Sequence, residues 1–355
     1  MKNLIAYLII SFLSTQFIFA QDSLQNKAYQ VSFLYPVGTN GTSTTYSNDY
    51  SFNVLWGINS GVHYFELGGI ANINKGDVKG GQIAGITNIT KGTSKGFVCA
   101  GINNFASKNM DGLHIAGISN FTNESGNGGQ ISGISNIANK DMNGVQISLI
   151  NTVRGEMTGA QIGLINTADS LKGTQIGLIN VVTNGTEGTP IGLINIVKGG
   201  YYAVEVAADA TIWGNINFKM GTKKFYTIFK GGYTQHNSKD VYSYGLGFGS
   251  MMEFGKLVNL SLDLSSNYLA YDGDYEQDLN LLNKADLNVH FKLTKKISVF
   301  AGPSLNVYIS DLKVDGNETA GTLDIPDNTF YDHTNAKGTR TSIWLGANAG
   351  LNFSF

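Results

Sequence analysis

Apolar and polar residues alternate one by one over long runs of the C-terminal half. Val204, Val206, Ala208, Ala210, Ile212, Ile216 and Phe218 fall on one face, and Glu205, Asp209, Thr211, Asn215, Asn217 and Lys219 on the other. Val258, Leu260, Leu262 and Leu264 stand opposite Asn259, Ser261, Asp263 and Ser265. Ala285, Leu287, Val289, Phe291 and Leu293 stand opposite Asp286, Asn288, His290 and Lys292. A period of two predicts strands with one apolar and one polar face, because successive side chains of a strand point to opposite sides. Seven such strands can be drawn after residue 200. Two more are expected near the start, through Tyr29, Val31, Phe33 and Tyr35 and through Tyr50, Phe52, Val54 and Trp56. A third, over residues 62–73, runs into a different kind of sequence.

That second kind is a repeat. A short phrase, typified by Gln82-Ile83-Ala84-Gly85-Ile86-Thr87-Asn88, begins at Glu66, Gln82, Val98, His114, Gln130, Gln146, Gln161, Gln175 and Pro190. Self-similarity at a fixed period predicts either stacked solenoid rungs or a run of barrel strands. Three features favour the solenoid. The linkers are uniformly short, whereas a membrane barrel alternates short turns with long loops. Asparagine recurs at Asn72, Asn88, Asn104, Asn120, Asn136, Asn151, Asn166, Asn180 and Asn195. Parallel stacking at the ~4.8 Å strand spacing would set these amides above one another as a hydrogen-bonded ladder. Finally, no Tyr or Trp lies between Asn72 and Gly199, so an aromatic membrane belt is missing from the repeats. The alternative counts every repeat as a strand and gives one large barrel of about eighteen.

The strands after residue 200 are longer than the five or six residues usual in soluble sheets and match the ~9–11 needed to cross a bilayer. Tyr201, Tyr202, Tyr226, Tyr242, Tyr244, Tyr268 and Tyr271 lie near run ends, as interfacial girdles require. At the other terminus, Lys2, the apolar run from Leu4 to Leu13 and Ala20 read as an export signal cleaved after Ala20. Ser11, Ser14, Thr15 and Gln16 interrupt that run too early for a spanning helix, and a lipid anchor would need a cysteine at the cleavage point. The final strand alternates Ile343, Leu345, Ala347, Ala349, Leu351, Phe353 and Phe355 with small or polar residues, except for Trp344, expected near the interface or in the lumen. Its end on Phe353 and Phe355 resembles the insertion signal of bacterial outer-membrane barrels. Together with the export signal and phrases such as Gly192-Leu193-Ile194-Asn195, it resembles a surface-repeat family of Gram-negative outer-membrane proteins. The form Gln161-x-Gly163-x-x-Asn166 is locally similar to the repeats of curlin subunits, whose Gln and Asn form ladders.

The expected fold is therefore all-β. A signal peptide occupies residues 1–20, N-terminal barrel strands 21–65, the repeat region 66–199 and C-terminal barrel strands 200–355, with about ten strands closing the barrel. The resemblance implies outer-membrane lipid and the barrel assembly machinery as partners.

Composition adds exclusions. Lys and Arg number 24 against 26 Asp and Glu, which gives no reason to expect a nucleic-acid partner. Cys99, the single cysteine, allows no internal disulfide and reads as a small apolar residue in a repeat. Glu205, Asp209, Lys219, Lys230, Glu253, Asp263, Asp286, His290 and Lys292 on polar faces are expected to pair inside a barrel. A sharper alternative joins Asp286 and His290 to Ser261 or Ser265 as a hydrolase site. Asp272, Asp274, Glu276 and Asp278 form a solvated acidic loop without the spacing of a calcium loop. The glycines of Gly245-Leu246-Gly247-Phe248-Gly249 alternate along a strand, so they read as small lumen-facing residues and not as a phosphate loop. No catalytic residue, cofactor or metal ligand is assigned. The expected function is non-catalytic: structural or adhesive display of the repeat stack at the cell surface toward an unidentified ligand. Porin-like passage of small solutes is the main alternative, and a barrel hydrolase a remote one.

Overall fold

A computed structural model describes residues 25–236, 239–272, 278–312 and 329–355. The export signal and the acidic-loop residues Asp274 and Glu276 lie outside the described residues. Those described are all-β, without a helix. They divide into two compact units, one up to Ile137 and one from Ala138 onward.

The first unit is a parallel, solenoid-like stack. Each rung has a strand of about seven residues, a corner, a four-residue strand and a turn, as in Val78–Ala84 and Thr87–Thr90. Successive rungs pair in parallel sixteen residues apart: Gln82 faces Val98, Val98 faces His114, and His114 faces Gln130. Inward positions carry Val78, Gln82, Ala84, Asn88 and Thr90, while Ile86 and its equivalents are exposed. At the corner, a Cβ on Gly117 would collide with the Gly101 carbonyl of the neighbouring rung, so only glycine lets consecutive chains approach this closely.

Two expectations change here. The strands drawn through Tyr29 and Tyr50 belong to this stack and not to a barrel: Asn26–Leu34 pairs in parallel with Ser47–Asn59, which pairs in parallel with Gly61–Gly68. Their alternation was real, but the polar face is the interior. Gln30, Asn48, Ser51, Asn53 and Asn59 are buried, and Tyr29, Val31, Phe33 and Phe52 are exposed. Parallel pairing of the repeats likewise replaces the eighteen-strand barrel, since an up-and-down barrel wall needs antiparallel neighbours.

The second unit contains more rungs, from Met142–Ile147 to Ile194–Val197, and then a closed antiparallel barrel of eight strands. The barrel strands are Tyr201–Asp209, Gly214–Gly221, Tyr226–His236, Lys239–Phe254, Val258–Tyr271, Asn280–Lys292, Ile297–Ser310 and Arg340–Ser354. First and last pair directly, with Val204 opposite Phe353, so the C-terminal half closes alone and not at about ten strands. The run expected through Ile212 is in fact a hairpin. Asp209 Oδ1 accepts hydrogen bonds from the backbone N–H groups of Thr211 (2.8 Å) and Ile212 (2.7 Å), which folds the chain back at that point.

Around the barrel wall, Leu246, Leu262, Leu264, Leu287, Leu305 and Leu345 point outward and are exposed. Trp213, Tyr233, Tyr242 and Tyr244 are exposed toward the end that carries the longer connections, and Phe254, Phe291, Phe353 and Phe355 toward the end with short turns. An aliphatic band between two aromatic girdles is the surface pattern of barrels that sit in lipid.

Candidate functional site

Three regions concentrate polar groups: the stack interior, the barrel lumen and the short-turn rim.

In the stack, the asparagine ladder forms as the spacing predicts. Asn72 Nδ2 donates to Asn88 Oδ1, Asn88 to Asn104 and Asn104 to Asn120, each at 2.9 Å, and Asn120 donates to Asn136 at 3.0 Å. In the second unit, Asn151 donates to Asn166 (2.9 Å), Asn166 to Asn180 (3.0 Å) and Asn180 to Asn195 (2.9 Å). The amide nitrogens also donate to backbone carbonyls, as Asn104 does to Ile115 at 2.7 Å. Along the ladder these amide donors are thereby satisfied by the next rung, which offsets the cost of removing them from water.

A second inward column runs beside the asparagines, through the first residue of each phrase. Gln161 donates to Gln146 (2.8 Å) and Gln175 to Gln161 (2.7 Å). Pro190 carries no amide donor, and Gln175 Oε1 is left buried without a partner. Glu66 occupies the corresponding column of the first unit, fully buried. Its Oε1 accepts from Ser51, Asn53 and Asn59, and its Oε2 from Asn74 (2.6 Å) and Gln82 (2.9 Å). Burial pushes its carboxyl above the ordinary value, against the pull of these donors. His114, also in this column, is held down to about 4 by burial, so its imidazole is neutral, and a hydrogen bond to the Ser94 backbone only partly opposes this. The repeat spacing showed this column, but the roles of its odd members depend on neighbours that only the folded rungs supply.

The barrel lumen is filled. Lys219 Nζ lies 2.7 Å from both Glu205 Oε1 and Asp263 Oδ2. Tyr226 donates to Asp263 Oδ1 at 2.5 Å, and Asn352 Nδ2 reaches Glu205 Oε1 at 2.9 Å. Further along, Lys284 pairs with Asp209 (2.6 Å) and Lys230 with Asp286 (3.6 Å). Lys284 shares the polar face of Asp286 and was missed because the alternation was drawn from Ala285. The void among these groups holds about 20 Å³, close to the room needed for one water. Toward the long-loop end, Trp344 is fully buried among Ile212, Val241, Leu269, Leu282 and Tyr308, which settles its place in the lumen. Tyr201, Tyr226 and Tyr271, expected in girdles, are also buried.

Gly249 shows why glycine alternates on its strand, since a Cβ there would strike Asp263 and the Tyr226 ring. Ser261 Oγ lies 3.0 Å from His290 Nε2. His290 Nδ1 has no partner, however, and Asp286 turns to Lys230 and Asn348. Serine, histidine and aspartate are therefore not assembled as a triad.

At the short-turn rim, Lys223, Lys256, Lys292, Lys295 and Lys296 line a mouth of about 790 Å³. Glu253, expected in the lumen with Lys292, instead bridges Lys223 (2.8 Å) and Lys292 (3.2 Å) here. Phe353 points outward, and Phe355 stacks on Tyr202 with centroids 6.4 Å apart. Cys99 is half-buried in the stack, between Ile83 and Ile115 of adjacent rungs. Among the described residues, no cluster of His, Cys, Asp or Glu suits a metal ion.

Comparison with protein-family models, with curated proteins and with solved structures found no match to this chain.

Proposed function

We propose that the chain is a non-catalytic, structural outer-membrane protein in which a filled barrel serves as anchor for the parallel stack. The observation that carries this reading is the packed lumen. Lys219, Glu205, Asp263 and Tyr226 bond across it, and Trp344 and its neighbours fill it farther along. Eight-strand barrels are just wide enough for side chains to fill. Solute passage would require breaking buried ion pairs, at several kcal/mol each. The porin-like rival rested on a wide wall built from the repeats, and their parallel pairing removes that wall. Outer-membrane lipid is the partner of the aliphatic band, and the strand ending at Phe353 and Phe355 is the element offered to the barrel assembly machinery.

Single-channel recording on the purified full-length protein in planar bilayers tests this reading. A silent record is expected once insertion has been verified by flotation with the lipid. Stepwise conductance from the inserted protein would replace the anchor with a channel.

A further inference from the structure

The second unit's stack has two unlike edges. Its phrases at residues 160–168, 174–182 and 189–197 contain no charged residue. They expose Ile162, Leu164, Ile165, Ile176 and Leu178, with Leu164 at 53% and Leu178 at 50%. The opposite edge, formed by the turns between rungs, carries Arg154, Glu156, Asp169, Lys172 and Glu187. The interior holds the amide columns and a buried apolar cluster that includes Met142, Met157, Leu171 and Val182, whereas the large aliphatic side chains of this edge stand on its outer surface. A continuous aliphatic edge of that kind is costly in water and marks an interaction surface.

The last rung fixes where the edge begins. Thr227 lies in the outward row of the barrel wall, between Met220 and Phe248, yet it is fully buried. The rung covers it: Asn195 Nδ2 donates to Thr227 Oγ1 (3.2 Å), and Thr227 donates to the Gly192 carbonyl (2.6 Å). Lys224, in the adjoining short turn, donates to the Glu187 carbonyl at 2.7 Å. The ladder thus ends on an outward-pointing side chain at the short-turn rim, with Asn180 and then Asn166 following Asn195 away from Thr227. Around an inserted barrel, that level is the headgroup boundary.

We infer that the Ile/Leu edge of residues 147–191 lies on the phospholipid leaflet at the barrel's short-turn rim, with the charged edge turned to water. This rests on the barrel being in lipid, as proposed above. The rim lysines add charge complementarity, because cations beside a membrane boundary attract anionic headgroups. In outer-membrane barrels the short turns face the periplasm. The second unit's rungs are thereby assigned to the periplasmic leaflet.

The test uses full-length protein with Cys99→Ser and one cysteine introduced at Leu164, Leu178, Lys172 or the barrel-wall position Leu264, each labelled with an environment-sensitive fluorophore. The variants are reconstituted into phosphatidylethanolamine–phosphatidylglycerol vesicles with or without brominated acyl chains. Quenching at Leu164 and Leu178 should approach that at Leu264 and exceed that at Lys172 several-fold. Quenching at Leu264 alone overturns the leaflet assignment while leaving the barrel in lipid. A blue-shifted Leu164 label that bromine does not quench also overturns it, in favour of a second protein copy on the edge. Absence of quenching at Leu264 as well overturns the barrel reading, and this assignment with it.

Discussion

Buried titratable residues in a column of amides make the stack sensitive to acid. His114 is neutral in the fold, with its imidazole at about 4 against an ordinary 6.5. Between those values the unfolded chain binds the proton and the folded chain does not. The contribution of neutral His114 is therefore complete above pH 6.5 and is lost as the pH falls toward 4. The difference amounts to about 3 kcal/mol at most. Glu66 works in the opposite direction, since its raised carboxyl costs stability as pH rises above the ordinary glutamate value. Replacing His114 with glutamine, the residue its column prefers, should remove most of the acid loss and leave the Glu66 contribution in place. Denaturation midpoints of the two proteins at pH 7 and pH 4.5 check this. An equal acid loss in both would show that His114 is not buried as described.

At the scale of an element, a rung is held by what the next rung returns to it. Asn104 accepts from Asn88, donates to Asn120 and donates to the Ile115 carbonyl. Asn104→Ala should strand buried partners on both sides and cost about 1–3 kcal/mol for each group left unsatisfied. Asn123→Ala, at an exposed turn, should stay within about 0.5 kcal/mol. Chemical denaturation of the full-length variants in detergent distinguishes the two. The ladder was legible in the sequence because identical residues at a fixed spacing have a clear meaning only in parallel stacking. The strands through Tyr29 and Tyr50 were misplaced for a physical reason. Alternation reveals that a strand has two faces but not which is interior, and here the polar face is inward because Gln30, Asn48 and Asn53 join the amide network. The Asp209 turn was likewise hidden inside a run whose alternation continues through Ile212.

For the molecule as a whole, sequence alone gave an all-β chain with a barrel end and a repeat stack, and the second unit joins the two at Thr227. Barrel size was not legible, because it depends on which strands pair, and Val204 opposite Phe353 is a long-range contact. The Ser261–His290 pair shows the same limit for the site. Residue types on one face suggested a triad, but Asp286 had a stronger claim from Lys230. The amphipathic stack was concealed by the absence of Tyr and Trp, which argues against a spanning wall without excluding an edge that lies on lipid. The central claim is that the eight-strand barrel is embedded with its leucine rows outward. Spin labels at Leu264 and at its lumen-facing neighbour Ser265, read in vesicles by collision with oxygen and with a water-soluble nickel chelate, test it most directly. The account predicts a Leu264 label relaxed strongly by oxygen and hardly by nickel, and a Ser265 label shielded from oxygen. A Leu264 label relaxed by nickel as freely as one on an exposed aqueous loop would contradict it.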